Sequence, residues 1–269
     1  MIRMPVVSGK FYPSDKNTIK KQLTSFLKES SKEDSLACIM PHAGYVYSGK
    51  VAIRTAASVV MKENVILLGP NHTGIGETVS IISQGKWQTP LGDIEINSTI
   101  AEQLKKECPL FKEDSSAHAY EHSLEVELPI LQFLYNQKFR IVPVVLMPAN
   151  KSAYENVAHA IYKTISGLDI KDKTLIVASS DMTHYESQES AKQKDNLAIE
   201  AILNLDEDSL IERLSKHNIS MCGYAPVIIS IITAKKLGAK NAKLILYQTS
   251  GEASGDFESV VGYAGITIS

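Results

Sequence analysis

The stretch Thr174–His184, TLIVASSDMTH, decides the fold. Leu175, Ile176, Val177 and Ala178 form an apolar run with no polar break, the pattern of a strand buried on both faces. The run gives way at once to Ser179, Ser180, Asp181, Met182, Thr183 and His184. An apolar strand therefore ends by presenting a carboxylate and an imidazole. Working outward, the same pattern recurs twice upstream. Leu36–Met40 runs into Pro41, His42, Ala43 and Gly44, and Val65–Leu68 runs into Gly69, Pro70, Asn71, His72, Thr73 and Gly74. Strands that each deliver a histidine just past their carboxyl ends suit an open α/β sheet, where ligands bind outside those ends.

The rest of the chain alternates in the same way. Helices are predicted over Gly49–Lys62, Ile100–Lys106, Ser123–Tyr135 (with Pro129 as a kink), Ser152–Ser166 and Ser190–Leu205. A nearly wholly apolar helix opens around Pro226 and stops at Gly238. Val79–Ile82 and Ile94–Ile96 read as a hairpin pair across GKWQTPLGD. Ile141–Met147 reads as a strand that Pro143 confines to a bulge or an edge. Leu244–Gln248 and Val260–Ile268 close the chain as strands. The expected architecture is α/β: a mostly parallel or mixed sheet with helices on both faces. No linker or repeat interrupts residues 1–269, so a single domain is expected.

Composition excludes several classes. The chain of 269 residues is 44% hydrophobic and 22% charged, which is globular and not disordered. Its net charge of −2, without a Lys/Arg block, gives no case for nucleic acid. No window reaches the length of a membrane-spanning helix, and the start lacks a signal-peptide apolar region. The three dispersed cysteines then read as reduced thiols in a cytoplasmic protein.

There are seven histidines, and the three at strand ends are the candidate site. Two imidazoles need a third metal ligand, as in non-haem iron sites and catalytic zinc sites. Asp181, His184, Asp256 and Cys222 are the candidates. Cys222, in MCGYAP, precedes the apolar helix, whose N-terminus would lower a thiol pKa. A second group lies in AHAYEHSLEVELP, where His118 and His122 stand four apart among Glu121, Glu125 and Glu127. The expected roles are rim or support for His122 and solvent exposure for His118. The carboxylates suit a helix N-terminus.

MPHAGYVYSG, GPNH, TPLGD, EHSLEVELP, ASSDMTHY, MCGYAP and a late GYAG, in that order between residues 41 and 265, resemble the Memo family. That family includes the animal mediator of cell motility and the prokaryotic AmmeMemoRadiSam system protein B. The resemblance implies the fold of the class III extradiol dioxygenase catalytic subunit and a mononuclear iron or copper site, with zinc as an alternative. It implies metal ligands at His42, His72 and Cys222, with Asp181 and His184 in the same pocket and His184 as acid/base. Cys222 stands where the dioxygenases use a carboxylate, and a softer thiolate shifts preference toward copper or zinc. Tyr45, His122, Tyr185 and Tyr224 are candidate substrate contacts. Three functions follow: a metal-dependent, dioxygenase-like oxidoreductase acting on an unknown small molecule; a phosphopeptide-binding adaptor without turnover; or a zinc hydrolase with Glu125 or Asp181 as base. The resemblance also implies companion proteins, a radical-SAM protein among them.

Overall fold

The computed structural model describes residues 1–28, 31–135 and 139–269. In chain order the strands are β1 (Ile2–Arg3), β2 (Ala37–Met40), β3 (Asn64–Pro70), β4 (Val79–Ile81), β5 (Lys86–Thr89), β6 (Gly92–Glu95), β7 (Phe111–Glu113), β8 (Arg140–Leu146), β9 (Thr174–Ser179), β10 (His184–Glu186), β11 (Ala242–Thr249) and β12 (Val260–Ile268). Among the described residues, nine of them build the main sheet in the order β10-β12-β2-β9-β3-β8-β4-β7, with β11 paired to β12. The central strands β2, β9, β3 and β8 are mutually parallel. β12 and β4 flank them antiparallel, so the sheet is mixed.

Sequence pattern explains the layering. Every residue of β2, β3 and β9 is buried, as expected for strands covered on both faces. Alternate side chains then serve opposite cores. Ile39, Ile66, Leu68, Ile176 and Ala178 enter one core, which includes the helix Tyr224–Lys236. Cys38, Met40, Val65, Leu67, Leu175 and Val177 enter the other, under the helices Gly49–Ala57 and Glu127–Tyr135. Caps set several helix starts: Asn97 accepts from Ile100 N–H, Asn150 from Ala153 N–H and Ser187 from Ser190 N–H.

Several expectations need correction. β4 does not form a hairpin with the segment after it; it pairs with β8 and β7 in the main sheet. The hairpin is β5–β6, which joins β1 in a separate three-stranded sheet. Pro143 lies inside the sheet, and β8's second neighbour, β4, begins pairing only at Val144. The proline therefore sits just outside that second ladder. Pro129 causes no kink, because the helix begins at Glu127 and the proline falls in its first turn. No described helix is long and apolar enough to cross a membrane.

Candidate metal centre

Three adjacent parallel strands end at one edge of the sheet. Met40 of β2 is in register with Ser179 of β9, and Leu68 of β3 with Ala178. The residues that follow, His42, Asp181 and His72, therefore enter one pocket of about 570 Å³, also lined by Phe11, His122, His184, Tyr185, Cys222 and Tyr263.

The imidazoles of His42, His72 and His122 face one another. Their candidate ligand nitrogens all lie within 4.8 Å of each other, and ring centroids are 4.6–5.5 Å apart. The rings of His42 and His72 are held from behind. His42 Nδ1 lies 2.7 Å from Ser179 Oγ, the last residue of β9. His72 Nδ1 donates to Glu121 Oε1 at 2.9 Å. His122 Nδ1 lies 3.5 Å from the same oxygen. Occupying Nδ1 on His42 and His72 leaves Nε2 as the lone pair turned toward the pocket, the arrangement that orients metal-binding histidines. Cys222 Sγ lies 3.3 Å from His42 Nε2. The sulfur thus reaches the first imidazole, beside the three-ring set.

Electrostatics favour neutral rings at His42 and His122 and a carboxylate at Glu121. Burial, then the neighbouring rings of His72, His122 and His184, pulls His42 well below the ordinary imidazole range. Burial also lowers His122, against the raising effect of Glu121. Burial alone would raise Glu121, but the hydrogen bond from the His72 ring, the charge of that ring, and the Ser123 and His72 amides bring its carboxyl down to about 2. Cys222 departs from expectation. Burial, then the charge of Asp181, pushes its thiol up, and hydrogen bonds from Asp181 and Gly223 amides do not reverse that. The thiolate therefore needs a cation to form. Gly223 fixes the sulfur's position: a Cβ there would stand 2.2 Å from Ser179 O.

Asp181 and His184 share the pocket with different partners from those expected. Asp181 Oδ1 accepts from the His42 backbone N–H at 2.8 Å, so it fixes the loop, while Ser179 holds the ring. Burial raises its carboxyl to about 6, against the lowering charge of His184. His184 Nδ1 donates to Ser220 O at 3.0 Å, leaving Nε2 as its free nitrogen. Tyr185 lines the pocket at 78% exposure. Its φ of 58° occupies the left-handed region, at the irregularity where β10 changes register against β12. A bulge of this kind re-aims a side chain.

Other expected residues lie elsewhere. Tyr45 is buried and donates to Val126 O, away from the pocket wall. Tyr224 lines an adjoining cleft with Tyr154, Leu214 and Met221, which shares Ser220 and Cys222 with the histidine pocket. Asp256 sits on an exposed turn and accepts from Glu258 N–H. His118 is fully buried against Trp87, with Nε2 3.2 Å from Ser80 O, and does not face solvent. Glu125 is buried and saturated by Arg3, Tyr12 and the Val6 and Val7 amides, which removes it as a base. Phe11, Tyr263 and Ser179 were not legible as site residues; only the position of Ser179 at the end of the apolar run hinted at it.

The fold and site together define a mixed-sheet α/β protein with a histidine-rich pocket at its strand ends. The sequence matches the family described as Memo-like protein over residues 3–267, and the chain belongs to that family. It is 40% identical to a MEMO1 family protein of Methanopyrus kandleri, covering 99% of this chain and 98% of that one. It is 42% identical to one of Sulfurisphaera tokodaii, covering 99% of each chain. A similar fold occurs in the crystal structure of an uncharacterized protein from Escherichia coli K12, with a TM-score of 0.54 at 11% identity, covering 86% of this chain and 98% of that one.

Proposed function

We propose that this Memo family protein binds one transition-metal ion through His42, His72 and Cys222, with His122 as a further ligand. We further propose that it uses the ion to transform a small molecule. One observation carries the reading: pocket-facing imidazole nitrogens within 4.8 Å of one another, with the far nitrogens of His42 and His72 already engaged. Hydrogen-bonded rings of this kind are pre-oriented ligands. The donor set of imidazoles and a sulfur fits iron, copper or zinc better than magnesium or calcium.

A bound iron or copper ion would supply redox chemistry, and a bound zinc ion would supply Lewis acidity. The chain's own residues do the rest. His184 takes or gives a proton at Nε2, its other nitrogen being tied to Ser220 O. Asp181, raised to about 6 by burial, holds the His42 loop and is a second proton site near neutral pH. Phe11 and Tyr263 form apolar wall that limits water access, and Tyr185 stands at the mouth. Among the described residues, no Lys or Arg lines the pocket. Phosphate recognition relies on such cations, so the observation disfavours an adaptor that captures phosphopeptides here.

Elemental analysis of the purified protein beside His72→Ala and Cys222→Ser tests the reading. About one equivalent of iron or copper, lost in both variants, supports redox chemistry. Stoichiometric zinc alone favours hydrolysis, with Asp181 as base. A full equivalent retained in both variants refutes the proposed ligand set.

A further inference from the structure

Behind His42 lies a carboxyl that no ion pair accounts for. Glu127, the first residue of its helix, is fully buried. Its Oε1 lies 3.0 Å from Ser179 Oγ, and its Oε2 has no partner. Glu125, two residues earlier, shows what a buried carboxylate requires: a guanidinium, a phenol and two amides. Glu127 has none of these. The titratable groups around it are Asp181, Tyr45, Cys38 and, across Ser179, His42; none is a lysine or arginine. A lone ionised carboxylate in such surroundings carries a large desolvation penalty, and the group neutralises instead.

Counting protons around Ser179 leads to the same end. Ser179 Oγ has one hydrogen and three neighbours: Ser123 O at 2.7 Å, His42 Nδ1 at 2.7 Å and Glu127 Oε1 at 3.0 Å. Ser123 O can only accept and lies 0.3 Å closer than Glu127 Oε1, which favours placing the hydroxyl hydrogen there. The oxygen of Ser179 is then an acceptor for both remaining neighbours. His42 must carry its hydrogen on Nδ1, and Glu127 must supply a carboxylic O–H. Any other assignment leaves Ser123 O without this donor or sets two acceptors against each other.

We propose that Glu127 is a neutral carboxylic acid that donates to Ser179 Oγ, completing a network in which Ser179 donates to Ser123 O and accepts from His42 Nδ1–H, with the His42 Nε2 lone pair in the pocket. Glu127 is a positioning residue: it touches neither ion nor substrate and acts through Ser179. This inference deepens the proposed metal reading, but its direct test needs no metal.

The test uses the metal-free full chain and the variants Glu127→Gln and Glu127→Met. Infrared difference spectra at neutral pH should show the C=O stretch of a protonated carboxyl in the wild type, lost in both variants. Nitrogen NMR should show His42 protonated at Nδ1 in the wild type, its signals identified by their loss in His42→Gln. Glu127→Gln keeps an N–H donor and should keep that tautomer. Glu127→Met keeps the volume without the donor and should give a mixture of tautomers. Cobalt affinity should follow: within about 3-fold of wild type for the glutamine variant and roughly 10- to 100-fold weaker for methionine. A carboxylate signature at neutral pH, or a glutamine variant with the tautomer mixture of methionine, overturns the proposal. If cobalt fails to bind the wild type while both spectroscopic signatures hold, the metal reading falls and the assignment of Glu127 stands.

Discussion

Replacing Glu121 with glutamine tests whether the carboxylate behind the imidazoles is held ionised by its surroundings. Its oxygens accept from the His72 ring at 2.9 Å, the His72 amide at 2.6 Å and the Ser123 amide at 2.8 Å. These donors, together with the charge of the His72 ring, overcome burial and bring the carboxyl from 4.5 down to about 2. A carboxyl lowered in the folded state stabilises it fully above the unfolded value, and the contribution fades as pH falls toward the folded one. At about 1.4 kcal/mol per pH unit, the shift contributes roughly 3 kcal/mol at neutral pH. About 2 kcal/mol of that should be gone by pH 3. The assay is urea unfolding of metal-free wild type and Glu121→Gln at pH 7, 5 and 3. Wild type should exceed the variant by roughly 3 kcal/mol at pH 7 and 5, and the gap should narrow at pH 3. The amide's own N–H facing two backbone donors adds a constant penalty, so the narrowing is the diagnostic. A gap that does not change with pH would refute the reasoning.

Arg3 is 5% exposed, pairs with Glu125, and donates to the carbonyls of His118 and Glu121. Arg3→Met leaves a buried charge unpaired and should cost about 3–5 kcal/mol in chemical denaturation; a loss below about 1 kcal/mol would show that the pair is dispensable. Tyr185→Gly should leave stability unchanged or raise it by up to about 1 kcal/mol, because glycine relieves the left-handed φ of 58°. A loss larger than about 1 kcal/mol on melting would contradict that. Zinc uptake should release a proton from Cys222, whose thiol is pushed up by burial and by Asp181, while His42 is already neutral. Chelator competition should then show affinity rising about tenfold per pH unit from 6 to 8; pH-independent affinity would remove sulfur from the ligand set.

Much of the fold was legible because the central strands are apolar throughout and the helices strongly periodic. Val260–Ile268 and the helix around Pro226 read directly from the sequence. Topology was less legible. Val79–Ile81 and Lys86–Thr89 are both short and bounded by turns, and nothing local says which sheet each joins. The helix Lys16–Phe26 was missed because only Ile19 and Leu23 among its residues are buried, too few for a clear stripe. That His42, His72, Asp181 and His184 line one pocket was legible from position, since parallel strand ends converge. His122 was underrated because its segment is a turn before the helix. The three carboxylates around it looked alike, yet the fold separates them behind His72, onto Arg3 and behind Ser179. Such roles depend on contacts across 49 to 122 residues, which spacing does not reveal.

X-ray absorption at the zinc edge, on protein loaded with one equivalent, tests the central claim most directly. The proposed ligand set of His42, His72, His122 and Cys222 predicts a shell of imidazole nitrogens at about 2.0–2.1 Å and one sulfur at about 2.3 Å. A shell of oxygen and nitrogen alone, unchanged in Cys222→Ser, would contradict it.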